Sequence, residues 1–269
     1  MKNIPIPFDA KVIKADSMYV YAGFIDGASH VGITRAEEPQ GQGGRGQRPE
    51  VKDPGNPPND IAGIQPERLV RTMLKADEKS IEDMRKLGFT VAHVVPTGKM
   101  LPGTGAIILL AGTSVNDMLI KEEVSLFAQF TGAGFVAPST IIGVMSKLRD
   151  LYFQAQQSKA YTAAYLKNPT GMSRPESNPV LEAFYPVIDK KLPLFMKAET
   201  ARDISRALIL QSDMGYNLVL TEVKQGWDYA AQLKTIPTFL SLNLPPVKEV
   251  KKADEKKKEK LPSPLLRLS

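Results

Sequence analysis

The sequence predicts an α/β fold, a parallel sheet covered by helices. Three observations carry that expectation. Short apolar, β-prone runs recur between Gly- and Pro-rich breaks. Segments with helical spacing of apolar residues separate them. From Pro193 to Leu242 the order is strictly strand, helix, strand, helix, strand.

The elements follow in order. Tyr19–Ile25 is apolar and reads as the first strand. Pro66–Leu87 carries Leu69, Val70, Met73, Leu74, Ile81 and Met84 at helical spacing, with Gly88 as its stop. Thr90–Val95, Ala106–Ala111 and Val124–Phe130 are strands. A long helix is expected over Ser139–Tyr165, with Ile142, Met145, Leu148, Leu151, Tyr152 and Ala155 on one side. Pro179–Asp189 is a second helix. Then come strand Pro193–Ala198, helix Ala201–Met214, strand Asn217–Thr221, helix Gly226–Leu233 and strand Thr238–Leu242. Two closures fit, an open doubly wound sheet or a closed barrel. No G-x-G-x-x-G follows the first strand, so dinucleotide binding has no support. In either closure, loops at the strand ends converge on one face, where chemistry would sit.

Composition narrows the classes. Of 269 residues, 42% are hydrophobic and 24% charged, which excludes a wholly disordered chain. No run approaches the roughly 18 apolar residues of a membrane span. Met1–Asp16 lacks the apolar stretch of a secretory signal. There is no cysteine, hence no disulfide, thiolate metal site or cysteine nucleophile. The net charge of +6 would suggest nucleic acid only if it clustered on a folded surface, and much of it lies in a mixed-sign tail from Lys248 onward. That tail reads as a solvated linker or exposed helix. Glu37–Asn59, containing GQGGRG, reads as a long mobile loop; it lacks the Gly-Lys-Ser/Thr ending of a phosphate loop. Asn168–Asn178 is a shorter connection.

Tyr21–Ile33, YAGFIDGASHVGI, resembles the first barrel strand of the amidohydrolase superfamily, where Gly-Phe-Ile-Asp runs into His-x-His. Phe8–Val20 is similar to the end of the small β-sandwich that accompanies such barrels. Leu192–Leu210 and Asn217–Leu233 resemble strand–helix units that carry further metal-binding histidines in imidazolonepropionase-like members. The segments RKLGFTVAHVVPTGKMLPGTGAIILLAG and STIIGVMSKLRDLYFQAQQ match a divergent bacterial branch. The resemblance spans about Asp9 to Pro246. It implies an incomplete (β/α)8 TIM-type barrel: residues 1–18 a β-sandwich remnant, 19–246 the barrel, 247–269 the charged tail. A complete barrel needs about 250 residues. Six or seven strands are therefore expected, leaving a gap with an exposed edge. That gap calls for a homo-oligomer or a paralogous subunit. The text stops resembling the family near Pro246, which implies a truncated or frameshifted product. Relatives of this branch often look exported, so the resemblance leaves localisation open.

The resemblance implies a divalent metal, zinc, and hydrolysis of an amide or cyclic amide by a metal-activated water. Its ligand positions are altered here. The first His of His-x-His is Ala28 and the second is His30, which stands as the metal position. The later positions fall on Lys197 and Glu222, which occupy the catalytic positions. With two histidines in the chain, His30 and His93, a three-His site cannot form within one copy. Lys197 and Glu199 share a strand face, so Lys197 points where a ligand would. Beside Glu222 it reads as a buried ion pair replacing the metal's cross-link, as a carbamylated ligand, or as a surface pair. His30 reads as a ligand or as a hydrogen-bonded remnant at the barrel mouth. His93, amid VAHVV, reads as an interior histidine. Asp26 reads as an acceptor orienting the strand end, Pro96–Gly105 as a turn or substrate lid, and Trp227 as packing on the barrel wall. Thr113 and Ser114 have no histidine partner, so no Ser-His-Asp reading follows. Two functions remain: a metal-dependent hydrolase of non-peptide C–N bonds, or a catalytically inactive homologue serving as a binding or scaffold subunit.

Overall fold

The computed structural model of the chain describes residues 8–9, 17–34 and 51–241. Most of the expected β-sandwich remnant and most of the Glu37–Asn59 loop lie outside the described residues, as does the whole tail from residue 247. Seven strands form one sheet in sequence order: β1 Phe24–Ser29, β2 Phe89–Val94, β3 Gly103–Leu109, β4 Leu119–Gln129, β5 Leu194–Lys197, β6 Leu218–Val223 and β7 Thr238–Leu240. β1 and β2 are parallel, as are the pairs from β4 to β7. β3 is antiparallel to both neighbours.

The expectation of an all-parallel sheet is thus corrected at β3. Parallel neighbours need a crossover of about a dozen residues or more. The link from Val95 to Pro102 is too short for one, so the chain reverses. β3 and β4 are joined by a single helical turn, Val115–Met118, capped by Ser114 and Asp117. The other strands all run the same way. The ends of β1, β2, β4, β5 and β6 that precede their connecting loops therefore lie at one mouth.

Three helices longer than one or two turns are present among the described residues: α1 Lys79–Lys86, α2 Ile141–Lys167 and α3 Ala201–Met214. α3 matches its expected range because every local signal agrees. Thr200 and Asp203 form a reciprocal capping box, Gly215 closes the helix in the left-handed region, and Ile204, Ala207, Leu210 and Met214 make one buried stripe. The expected helix Pro66–Leu87 is corrected to a short turn, Val70–Thr72, and α1. Its first part is held against β3 instead: the Thr104 N–H donates to the Arg68 carbonyl at 2.8 Å, and Leu69 bridges to Thr104. Those long-range bonds take the backbone groups that a helix would have used. Pro179–Asp189 and Gly226–Leu233 are each broken into short turns. Trp227, expected to pack on the barrel wall, is 56% exposed.

The sheet curls until it nearly closes. Its outer face packs beneath α2 and α3 through Leu126, Ala128, Leu194, Met196, Leu218 and Leu220. Val31, Val70, Leu74, Ile81, Ala92, Ile108 and Met118 make a second outer cluster. The inner face holds Val95, Phe127, Phe195 and Val219. Strand alternation explains the split: Phe195 and Lys197 turn inward while Leu194 and Met196 turn out. No ladder joins β7 to β1 among the described residues. The Phe239 ring bridges them instead, stacked on Phe195 with centroids 6.1 Å apart and lying against Gly27 of β1. A Cβ at Gly27 would overlap that ring.

Gly27→Val is expected to destabilise the fold by about 1–3 kcal/mol through overpacking. Adding Phe239→Ala should recover part of the loss. Denaturant midpoints of the two single variants and the double variant check this; additive losses would mean the two residues do not share the seam.

Candidate functional site

The mouth is built on the ends of β5 and β6. Lys197 closes β5, with Thr221 as its register neighbour on β6. Thr221 lies on the same inward face as Val219. β6 then breaks its alternation: Glu222 has φ 56°, in the left-handed region, and the register with β7 shifts there. This lets Glu222 face Lys197 while Val223 returns to the outer core. A non-glycine residue held in this region costs roughly 1 kcal/mol or more and persists only where its surroundings fix it.

What fixes it is a shared cation. Lys197 Nζ lies 2.7 Å from Glu222 Oε2 and 3.0 Å from Glu199 Oε1. Glu199 is also bound by Lys224 Nζ at 2.5 Å. The chain Glu222–Lys197–Glu199–Lys224 thus ties the end of β6 to the residues after β5. The backbone repeats the tie, since the N–H groups of Lys224 and Gln225 both donate to the Glu199 carbonyl at 3.1 Å. The side chains of Lys197 and Glu222 are 29% and 32% exposed, so the pair is half-buried and partly screened by solvent. Burial opposes the charge on Lys197, but hydrogen bonds and charge from Glu222 and Glu199 outweigh it and raise its pKa above the ordinary lysine value. Lys224, against burial and with help from Lys197, holds Glu199 below the usual carboxylate range. Both groups therefore stay charged around neutrality. Thr221 is fully buried and its hydroxyl has no hydrogen-bond partner.

His30 follows β1 at the same end of the sheet. Its Nδ1–H donates to the Val95 carbonyl at 2.7 Å, and its ring stands edge-on to Phe127, 6.2 Å between centroids. Phe127 is the register partner of Phe195, two residues before Lys197. The structure thus joins Lys197 to Glu222 directly and sets His30 at the same mouth through separate contacts. Asp26 accepts the Ala28 N–H at 3.3 Å. The Pro96–Gly105 segment is pinned rather than free: Met100 and Leu101 are buried, and the Gln129 amide donates to the Gly98 and Lys99 carbonyls.

The residue that sequence reasoning missed is Ser125. It lies on β4 with no exposure, inside the barrel, where its hydroxyl meets His93 Nε2 at 2.8 Å. His93 Nδ1–H donates to the Gly27 carbonyl at 2.9 Å, which leaves Nε2 as acceptor in the neutral ring. The ring packs edge-on to Phe195, centroids 4.6 Å apart. Gly105 is needed above this pair, because a Cβ there would press on both Ser125 Oγ and His93 Nε2. The pair has the donor–acceptor order of an activated serine, but its burial removes it from any substrate. Its only signal in the sequence is one small polar residue on an inward strand position.

A divalent ion does not fit these side chains. Both nitrogens of His93 are engaged, His30 has one left, and an ammonium sits between the two nearest carboxylates. Among the described residues no three His, Asp or Glu groups come together in a way that could hold a metal.

The fold resembles that of a solved amidohydrolase. The crystal structure of an amidohydrolase from Thermotoga maritima MSB8 superposes with a TM-score of 0.71 over 90% of this chain, at 24% sequence identity. The chain spans 62% of that protein's length. No family model matches the sequence, and no curated protein does. No helix among the described residues is long and apolar enough to cross a membrane.

His93 makes stability pH-dependent in a defined direction. Burial lowers its pKa, and the Gly27 bond and the Asp26 charge only partly offset this. In the unfolded chain the ring titrates near its ordinary value of about 6.5. On acidification the unfolded state takes up the proton first. The contribution of neutral His93 is therefore complete above that pH and lost as pH falls through it towards the lowered folded value. Denaturant midpoints measured from pH 7.5 down to 5 should fall, and His93→Gln should flatten that part of the profile.

Proposed function

We propose that this chain is an amidohydrolase-type barrel that does not carry out metal-dependent C–N hydrolysis and serves as a binding or scaffold subunit. One observation carries the reading: Lys197 places an ammonium, neutralised by Glu199 and Glu222, at the strand-end mouth. A divalent ion placed there would meet like charge at close range, with the carboxylates already engaged. Water activation by such an ion needs an open coordination position and several converging neutral or anionic donors. The described residues supply neither.

The rival reading is the one the sequence resemblance implies, hydrolysis of an amide or cyclic amide by a metal-activated water. For that reading, Lys197 and Glu222 would be the proton-handling groups and His30 a ligand to zinc. The likeness supports the fold, and the donor set argues against the chemistry. A binding role is consistent with where the cluster lies, since loops at the strand ends of parallel α/β folds are where ligands and partners meet the sheet.

Metal content and turnover separate the two. Protein purified without added metal should contain well under one zinc per chain. Its background hydrolysis of small amide and lactam substrates should not rise when zinc or manganese is supplied. One zinc per chain, with turnover abolished in His30→Ala, would establish the hydrolase instead.

A further inference from the structure

The run Met18–Ile25, MYVYAGFI, has strand character that the fold leaves unused. Its apolar, β-prone residues predict a strand from Tyr19, yet β1 begins only at Phe24. Met18–Gly23 pairs with no strand among the described residues, and every residue from Met18 to Ile25 is exposed. The Tyr19 and Tyr21 rings nevertheless lie 6.5 Å apart, as alternate side chains on one face of a strand would.

The exposed surface is large and apolar. Met18, Tyr19, Val20, Tyr21, Phe24 and Ile25 are each between 62% and 88% exposed. At about 150–250 Å² for a whole aromatic side chain, the six present on the order of 1,000 Å². Each partner in a stable interface gives up roughly 800 Å². Leu87, beside the Gly88 carbonyl that accepts the Phe24 N–H, is exposed as well and widens the patch. Strands that stay unpaired in solution are usually guarded by charge or proline. No residue from Met18 to Ile25 is charged, and none is proline. Phe24 opens β1, so the run leaves the barrel at the end opposite the mouth, and a partner bound there leaves the mouth open.

We propose that Met18–Gly23 is an interface strand that pairs with the same segment of a second copy of this chain, antiparallel across a two-fold axis. A two-fold axis sets identical segments against each other in opposite directions, so the free N–H and C=O groups of both copies are satisfied together. The run suits itself as a partner. Laid antiparallel on its own copy, it brings tyrosine and valine against one another with no like-charge contact. The flanking Phe24, Ile25 and Leu87 then lose solvent with it. This goes beyond the reading of the mouth and does not depend on what the mouth binds.

Sedimentation velocity on the full chain tests the pairing. At tens of micromolar, wild type should sediment at twice the monomer mass, and Tyr19→Phe/Tyr21→Phe should do the same. Tyr19→Lys/Tyr21→Lys sets like charges across the axis and should raise the dimer Kd about tenfold or more. Tyr19→Glu/Tyr21→Glu should weaken it likewise, and mixing the lysine and glutamate variants should restore a dimer of one copy of each. Both side chains are exposed in the single copy, so circular dichroism of all variants should match wild type.

A second measurement needs no charged variant. The chain has no cysteine, so a single introduced one reports contact by itself. Of Val20→Cys, Tyr21→Cys and Ala22→Cys, the one nearest the axis should form an interchain disulfide under mild oxidation. Tyr161→Cys, on the outer part of α2, should not. A wild-type chain that is monomeric at tens of micromolar overturns the proposal. So does a dimer that the lysine variant leaves unchanged, and so do lysine and glutamate variants that are monomeric alone and fail to recombine. Resident zinc and turnover would refute the reading of the mouth and leave this result untouched.

Discussion

A single imidazole organises the interior of this barrel. His93 stands on β2, donates to the β1 backbone at Gly27, accepts from Ser125 on β4, and lays its edge on Phe195 of β5. Four strands are thereby tied through one side chain. The arrangement works only with a neutral ring, since a doubly protonated imidazole could no longer accept from Ser125. It also works only with missing side chains around it. Gly105 leaves the space above the Ser125–His93 pair, and Gly27 leaves the space that Phe239 enters. A small barrel filled by aromatic rings needs positions with no Cβ, because its interior volume is fixed by strand number.

The mouth obeys a different constraint. Its residues are charged and half-buried, so their mutual attraction is moderated by solvent. Their arrangement is nonetheless specific, because Glu222 adopts a left-handed backbone to join it. Lys224 extends the chain so that Glu199 is shared by two ammonium groups, and the four charges cancel. A neutral, internally satisfied cluster presents little field to a charged substrate. That suits a surface that recognises shape or a partner chain better than one that polarises a bond.

Much of this was legible in the sequence, and the exceptions have physical causes. The elements from Leu194 to Val223 were readable because capping residues, apolar period and turn residues agree there. The reversal at β3 was not, because the apolar pattern of a buried strand carries no direction; the shortness of the Val95–Pro102 link was the available clue. The broken helix near Leu69 failed for a related reason. Its apolar spacing is real and its residues are buried, but by contacts with β3 that local spacing cannot reveal. The pairing of Lys197 with Glu222 was expected from the resemblance; strand alternation alone would turn Glu222 outward, and its left-handed backbone is what brings it round to Lys197. Glu199's second partner, Lys224, and the burial of Ser125 beside His93 depend on distances that no spacing rule supplies.

The seam between β7 and β1 has a consequence for how the molecule breathes. A barrel closed by backbone hydrogen bonds must rupture a ladder to open. Here no ladder joins β7 to β1 among the described residues, and a phenyl ring lodged over a glycine spans the gap. The amide protons of β1 that face this seam have no strand ladder to hold them among the described residues, so they exchange by local opening. Those on its other edge, bound to β2, wait for the sheet itself to come apart.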